Sequence, residues 1–171
     1  HHWKECNCTD PASKFDESEH EWLFKETVNN PSVEVVGKAI YYCESCNKEK
    51  EDLSYLSLAD EKIRIEATNL LSYTGKEQFQ GVNVYYGETK LNLNEHYTLS
   101  ENNRTIAGDY TLKITGTGTF RSETTFDYTI AKASLKVMVD NKVVTYGDEI
   151  PSYTVSYSGF VEGENESLLT G

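Results

Sequence analysis

The sequence predicts an all-β chain assembled from small units, and three observations carry that reading. Twelve tyrosines, eleven glycines and recurrent valine and threonine favour strands and turns, with only Pro11, Pro31 and Pro151 as prolines. Apolar residues alternate with period two over several short runs, separated by turn-forming clusters. A sustained helical period is missing, and the run from Leu53 to Ile65 is the one stretch able to hold a helical turn.

Taken in order, the first fifty residues concentrate all four cysteines, both tryptophans and three of the four histidines. "GKAIYY" ahead of Cys43 reads as a strand. Ile63, Ile65 and Ala67 alternate, as do Val82 and Val84 after a glycine-containing turn. Further on, Tyr110, Leu112 and Ile114 share one face of "DYTLKIT", and Phe126, Tyr128 and Ile130 share one face of "TTFDYTI". The turns "ENNR", "AGD" and "GTG" between these runs mark a half-buried antiparallel sandwich. After Lys132, Leu135, Val137 and Val139 alternate into Asp140-Asn141, a turn that would fold "KVVTYG" back as a hairpin. Tyr153, Val155 and Tyr157 fall in phase beyond it. The segments "YTGKEQFQGVNVYYG" and "TYGDEIPSYTVSYSG" echo each other, which points to β-units in tandem.

Charge narrows the function classes. With 28 acidic against 16 basic residues, the net charge is -12. Phosphate backbones and anionic membranes repel such a chain, so neither nucleic acid nor a membrane surface is an expected partner. No apolar run reaches the length of a membrane span, and no signal-peptide pattern is found. The chain is read as a piece of something longer, so a missing address says nothing about location.

The cysteines fall in two close pairs, Cys6-x-Cys8 and Cys43-x-x-Cys46. A fifty-residue unit poor in large aliphatics buries too little surface to offset its chain entropy, so a staple is expected. Two pairs separated by a loop suit a tetrahedral zinc site, because a tight turn aims two thiolates at one point. Cys43 and Cys46 are the best-placed ligands, with Cys6, Cys8 and His20 competing for the remaining positions and His2 able to replace a sulfur. Disulfides are the alternative, favoured in an oxidising compartment. Redox catalysis is set aside, because Cys43-x-x-Cys46 follows a strand and precedes the charged "NKEKED" instead of opening a helix.

Other features have plain readings. Tyr85-Tyr86, Tyr153 and Tyr157 could stack on a glycan, but alternating tyrosines in β-units mostly pack across strands. The acidic runs "DESEHE" and "KEKED" lack the spacing of a calcium loop and read as solvated surface. His96 stands alone beside a strand start, with a structural or exposed role. Lys113 and Lys136 lie in apolar strands, with alternation that points both outward. No nucleophile elbow, phosphate loop or carboxylate pair in a recognisable setting is present, so no catalytic residue is assigned and the chain is not expected to be an enzyme.

The span from Lys62 to Lys132 resembles the Ig-like repeats of large Gram-positive surface proteins. The residues concerned are Tyr73-Thr74-Gly75-Lys76, Leu93 with Tyr97-Thr98-Leu99, Asn102-Asn103 with Ala107-Gly108, Ile114-Thr115-Gly116 and Phe126 to Ile130. From Ser134 onward the chain looks like the MBG-type β-domain of bacterial adhesins, through Thr145 to Pro151 and Tyr157 to Phe160. The N-terminal segment resembles small Cys/His modules of the same class of proteins through His2-Trp3, Cys6, Cys8, His20, Trp22 and Tyr41 to Cys46. Such modules often carry a further cysteine where Val33 stands here. The resemblance implies a Cys/His module over residues 1–52, a linker over 53–61, an antiparallel Ig-like β-sandwich over 62–132 and a partial MBG-type domain over 133–171. It also implies an extracellular location on a bacterial cell surface and a non-catalytic structural or adhesive role, as a rigid spacer or binding stalk. Two other roles fit the resemblance: a module that binds a host or environmental glycan or surface protein, and an accessory region of a secreted glycan-degrading enzyme.

Overall fold

The computed structural model describes residues 21–170, and apart from one 3-10 turn every regular element there is a strand. Three strands come first: β1 (Trp22–Asn29), β2 (Gly37–Cys43) and β3 (Glu49–Ser54). They form an antiparallel meander in the order β1-β2-β3. Register shifts at Lys25 and Val28 bulge β1 against β2 and increase its twist. Gly37 opens β2 because a Cβ there would stand 2.2 Å from the Ser54 hydroxyl and 2.6 Å from the Pro31 ring.

β4 (Leu56–Ser57) and β5 (Ile63–Ala67) flank a turn instead of a helix. The helical turn open to Leu53–Ile65 is thus corrected. Ser57 Oγ accepts from the Ala59 N–H at 3.0 Å and Asp60 Oδ1 from the Lys62 N–H at 2.9 Å. Side chains of this type compete with helical bonding by capping nearby backbone donors. The later strands are β6 (Leu71–Ser72), β7 (Val82–Tyr86), β8 (Thr89–Lys90), β9 (Tyr97–Leu99), β10 (Gly108–Gly116), β11 (Phe120–Arg121) and β12 (Glu123–Ala131). One sheet runs β6-β12-β10-β9 and another β5-β7-β8. Two short pairings are parallel, β4 with β11 and β6 with β12.

The chain divides into two compact units. One comprises residues up to Arg64, with Val84–Thr98 and Ile114–Thr124; the other comprises Ile65–Asn83, Leu99–Lys113 and from Thr125 onward. In the first unit Cys43, Leu58, Val84, Leu91, Tyr97, Ile114 and Phe120 are buried. Phe120 is fully enclosed, with its ring edge-on to Tyr86 at 5.7 Å and to His96 at 5.9 Å. Leu58, within the span expected as a linker, is 1% exposed, and its N–H donates to the Arg121 carbonyl at 3.0 Å.

The second unit buries Leu71, Val82, Leu112, Tyr128 and Ile130. Leu112 and Tyr128 with Ile130 are inward residues of the alternating runs, as period two requires. Asn102 threads a polar bond into this core: Nδ2 donates to the Gln80 carbonyl at 2.7 Å, and the Tyr128 hydroxyl donates to the Asn102 carbonyl at 3.2 Å. On the outward face of β10 and β12, Thr111 bonds Asp127 at 2.7 Å and Thr129 bonds Asp109 at 2.6 Å. Each acid therefore faces a threonine instead of a like charge, which is the favourable cross-strand arrangement.

β13 (Lys136–Val139) pairs antiparallel with β14 (Val155–Ser158), and the 3-10 turn Glu166–Leu168 follows. The hairpin expected to turn at Asp140-Asn141 is not formed. Instead, residues 140–154 make a long connection, pinned where the Asp140 N–H donates to the Thr154 carbonyl at 3.0 Å. A separate turn forms farther along, where the Asp148 N–H reaches the Thr145 carbonyl at 3.0 Å. Val143 and Tyr146 consequently stand in solvent, and Tyr153 precedes the strand it was expected to share with Val155 and Tyr157.

Candidate functional site

The Cys43–Cys46 corner is the turn that joins β2 to β3. The Asn47 N–H donates to the Cys43 carbonyl at 2.8 Å, and the Cys43 N–H donates to the Lys48 carbonyl at 2.9 Å. Asn47 takes a left-handed conformation, φ 55°, which asparagine tolerates better than most residues. These bonds close a tight loop around both sulfurs, with Cys43 buried and Cys46 half-buried. Two thiol positions on one turn are the donor set of half a tetrahedral site. Cys6, Cys8 and His20, the other expected ligands, lie outside the described residues, as does His2. Among the described residues no group of three His, Cys, Asp or Glu side chains gathers to hold a metal ion.

The sheet behind this corner carries an aromatic face. Trp22 pairs with Cys43 and Phe24 with Tyr41 in register. Phe24 and Tyr41 meet edge-on at 5.8 Å, and the Lys50 ammonium lies 4.9 Å from the Trp22 ring centre, within cation–π range. "KEKED" is spent on this sheet, because Glu49 pairs with Lys25 and Glu51 bonds Lys38 at 2.8 Å. Of "DESEHE", only Glu21 is described.

The tyrosines do not form one platform. Tyr85 and Tyr86 are successive residues of β7 and so point to opposite sides. Tyr85 is covered by the Arg64 guanidinium at 4.1 Å, while Tyr86 packs on Phe120. Tyr153 is 77% exposed and Tyr157 is half-buried against Phe160 at 5.8 Å. Lys113 and Lys136 are both exposed.

His96 is buried, at 7% exposure. Its Nδ1 accepts the Asn92 N–H at 2.9 Å and its carbonyl accepts the Thr117 N–H at 2.9 Å. An Nδ1 that accepts leaves the ring proton on Nε2. The imidazole lines a cleft of about 610 Å³, together with Glu34 of the β1–β2 loop, Lys90 of β8, and Asn92 and Glu95 of the following loop. Thr119 Oγ1 donates to the Val33 carbonyl at 2.7 Å and holds the first loop beside the cleft. Gly118 belongs to the same rim: its φ is +59°, and a Cβ there would approach the Glu95 carbonyl to 2.4 Å. No sequence signal marks these residues as a group, since they come from three separated segments.

A second recess of about 430 Å³ is lined by Tyr73, Ile106, Leu135, Phe160, Leu168 and Leu169, among others. Beside it the Tyr73 hydroxyl bonds Glu164 and Lys76 pairs with Glu162. The Glu164 bond is the first cause holding the Tyr73 phenol above its ordinary pKa, with burial and the carboxylate's charge adding to it.

Among the described residues, short strands in several small sheets make up an all-β chain whose parts are small β-units. Comparison with known families bears on the last of these parts. Residues 135–171 match the family model of the MBG domain (YGX type), and Tyr146-Gly147-Asp148 lies inside that match. No curated protein and no solved structure matches the chain.

Proposed function

We propose that this chain is a non-catalytic structural segment of a bacterial cell-surface protein of the Gram-positive type, serving as a rigid spacer or binding stalk outside the cell. The observation that carries the reading is the bracing of the MBG-matching segment. Only residues 132–135 separate β12 from β13, and the loop after β14 is tied to the β6–β7 connection by the Tyr73–Glu164 and Lys76–Glu162 pairs. Gly75 meets Val161 in the same place, with a Cβ position 3.3 Å from its methyl group. Short connections with side-chain braces suppress the hinge motion that is otherwise the default between domains.

In this reading the N-terminal sheet is stapled by structural zinc. Cys43 and Cys46 would hold the ion together with two of Cys6, Cys8 and His20. The ion would supply folding free energy that a sheet of this size lacks, and the chain's own contribution is the closed turn from Cys43 to Lys48.

Nitrogen-15 relaxation tests the spacer. We expect β13–β14 to tumble with β6 and β12 as one body, and Tyr73→Phe combined with Lys76→Glu to loosen that coupling. Independent tumbling of β13–β14 in the unsubstituted chain would sink the rigid-spacer reading.

A further inference from the structure

We propose that the cleft between the β1–β2 loop and the β8–β9 loop is a binding site for a neutral saccharide. Its polar lining mixes both hydrogen-bonding roles. Glu34 and Glu95 only accept when ionised, Lys90 only donates, and His96 presents a donating Nε2–H because its Nδ1 is committed to the Asn92 N–H. None of the hydrogen bonds among the described residues uses that Nε2, although the imidazole is more than nine-tenths buried. His96 borders the cleft, and its Nε2–H is a ring donor for which a ligand oxygen is a fitting acceptor.

The ligand's chemistry follows from the balance. An anion would meet two carboxylates against one ammonium, so phosphates and acidic sugars are disfavoured. A metal ion is disfavoured too, because these carboxylates and the imidazole do not gather at one point. A hydroxyl both donates and accepts, so adjacent hydroxyls can answer a carboxylate and an ammonium together. Val33 and Val36 supply apolar wall for the C–H face of a sugar ring. The volume, about 610 Å³, falls within the range of small-molecule sites. The Thr119–Val33 bond and the close approach of Gly118 to Glu95 fix both rims, so little ordering is required on binding.

The test is a titration of the nitrogen-15-labelled chain with glucose, galactose, mannose and N-acetylglucosamine, each to about 50 mM, a range that detects the millimolar affinity of single sugars. At least one should shift the amides of Glu34, Lys90, Glu95 and Thr119 together and saturably. Glu34→Gln with Lys90→Ala should weaken that binding by about tenfold or more, as loss of charge-assisted bonds requires, and both residues are exposed enough for the fold to survive. Tyr153→Ala, at an exposed tyrosine away from the cleft, should leave the shifts unchanged. No saturable shift with any of the four sugars would overturn the proposal, as would a shift that survives the double substitution or disappears with Tyr153→Ala.

Discussion

Phe120 offers the most direct test of how the first unit is held together. It is fully buried, lies in the two-residue strand that pairs with β4, and presents its ring to the edges of Tyr86 and His96. Phe120→Ala removes the transfer free energy of the ring and leaves a cavity that neighbours pinned by the Leu56 and Leu58 backbone bonds cannot collapse into. Truncations of this kind cost about 3–5 kcal/mol, a large share of the 5–15 kcal/mol that ordinarily separates folded from unfolded chains. With a urea m-value of about 2 kcal/mol/M, the midpoint should fall by roughly 1.5–2.5 M. Phe120→Leu keeps most of the apolar volume and forfeits the two edge contacts, each worth about 0.5–1.5 kcal/mol, so it should fall between the two. Tryptophan fluorescence follows the transition, because Trp22 opens β1 in the first unit. A midpoint loss below about 0.5 M for the alanine variant would refute the placement of Phe120 at the centre of this unit.

Three further outcomes are expected. Burial raises the phenol pKa of Tyr97, and also that of Tyr128, where Arg104 pulls the other way and Tyr110 adds to the rise. The folded chain therefore holds these protons after the unfolded chain has released them. Stability from this source is intact below about pH 10 and is lost as pH climbs through the raised folded values; urea midpoints should fall across that alkaline range, less steeply in Tyr128→Phe. Asn102→Ala orphans the Gln80 carbonyl in the second unit's interior while leaving the main-chain acceptor of the Tyr128 hydroxyl in place, so it should cost about 1–3 kcal/mol by urea denaturation, and a neutral result would mean water takes its place. Elemental analysis of the purified chain should find zinc near one per chain, with thiols that react only after denaturation and chelation, and Cys43→Ser with Cys46→Ser should abolish the metal. Metal-free protein with no titratable thiols would mean disulfides instead.

The strands that could be read in the sequence were those long enough to show their period. β5, β7, β10 and β12 follow the alternations at Ile63–Ala67, Val82–Val84, Tyr110–Ile114 and Phe126–Ile130. Two-residue strands such as β4 and β6 carry no period, and β4 is fixed instead by its partner some sixty residues away, through Leu56 to Thr119 and Leu58 to Arg121. The Asp140-Asn141 turn misled because local turn chemistry was read without the competing strand, Val155–Ser158, which supplies the longer-range pairing. For His96 the sequence supports a structural or exposed role without deciding between them, and its place in the cleft is not legible there, since Glu34 and Lys90 approach it only through the fold. The Cys43–Cys46 turn was legible because its chemistry is local.

The parallel pairing of β6 with β12 has a mechanical consequence. Leu71 stands beside Ile130 and Ser72 beside Ala131, and the Tyr73 N–H adds a bond to the Ala131 carbonyl at 2.8 Å. Tension that enters the chain ahead of β6 and leaves it after β12 pulls the two strands in opposite senses along their shared axis. Their hydrogen bonds then carry the load side by side, as a lap joint does, instead of tearing one after another from the end like a zip. Under stretching, the time for which this patch holds is set by the rate at which the joint slips, so a few bonds at the edge of one sheet govern how long the region beyond it stays folded.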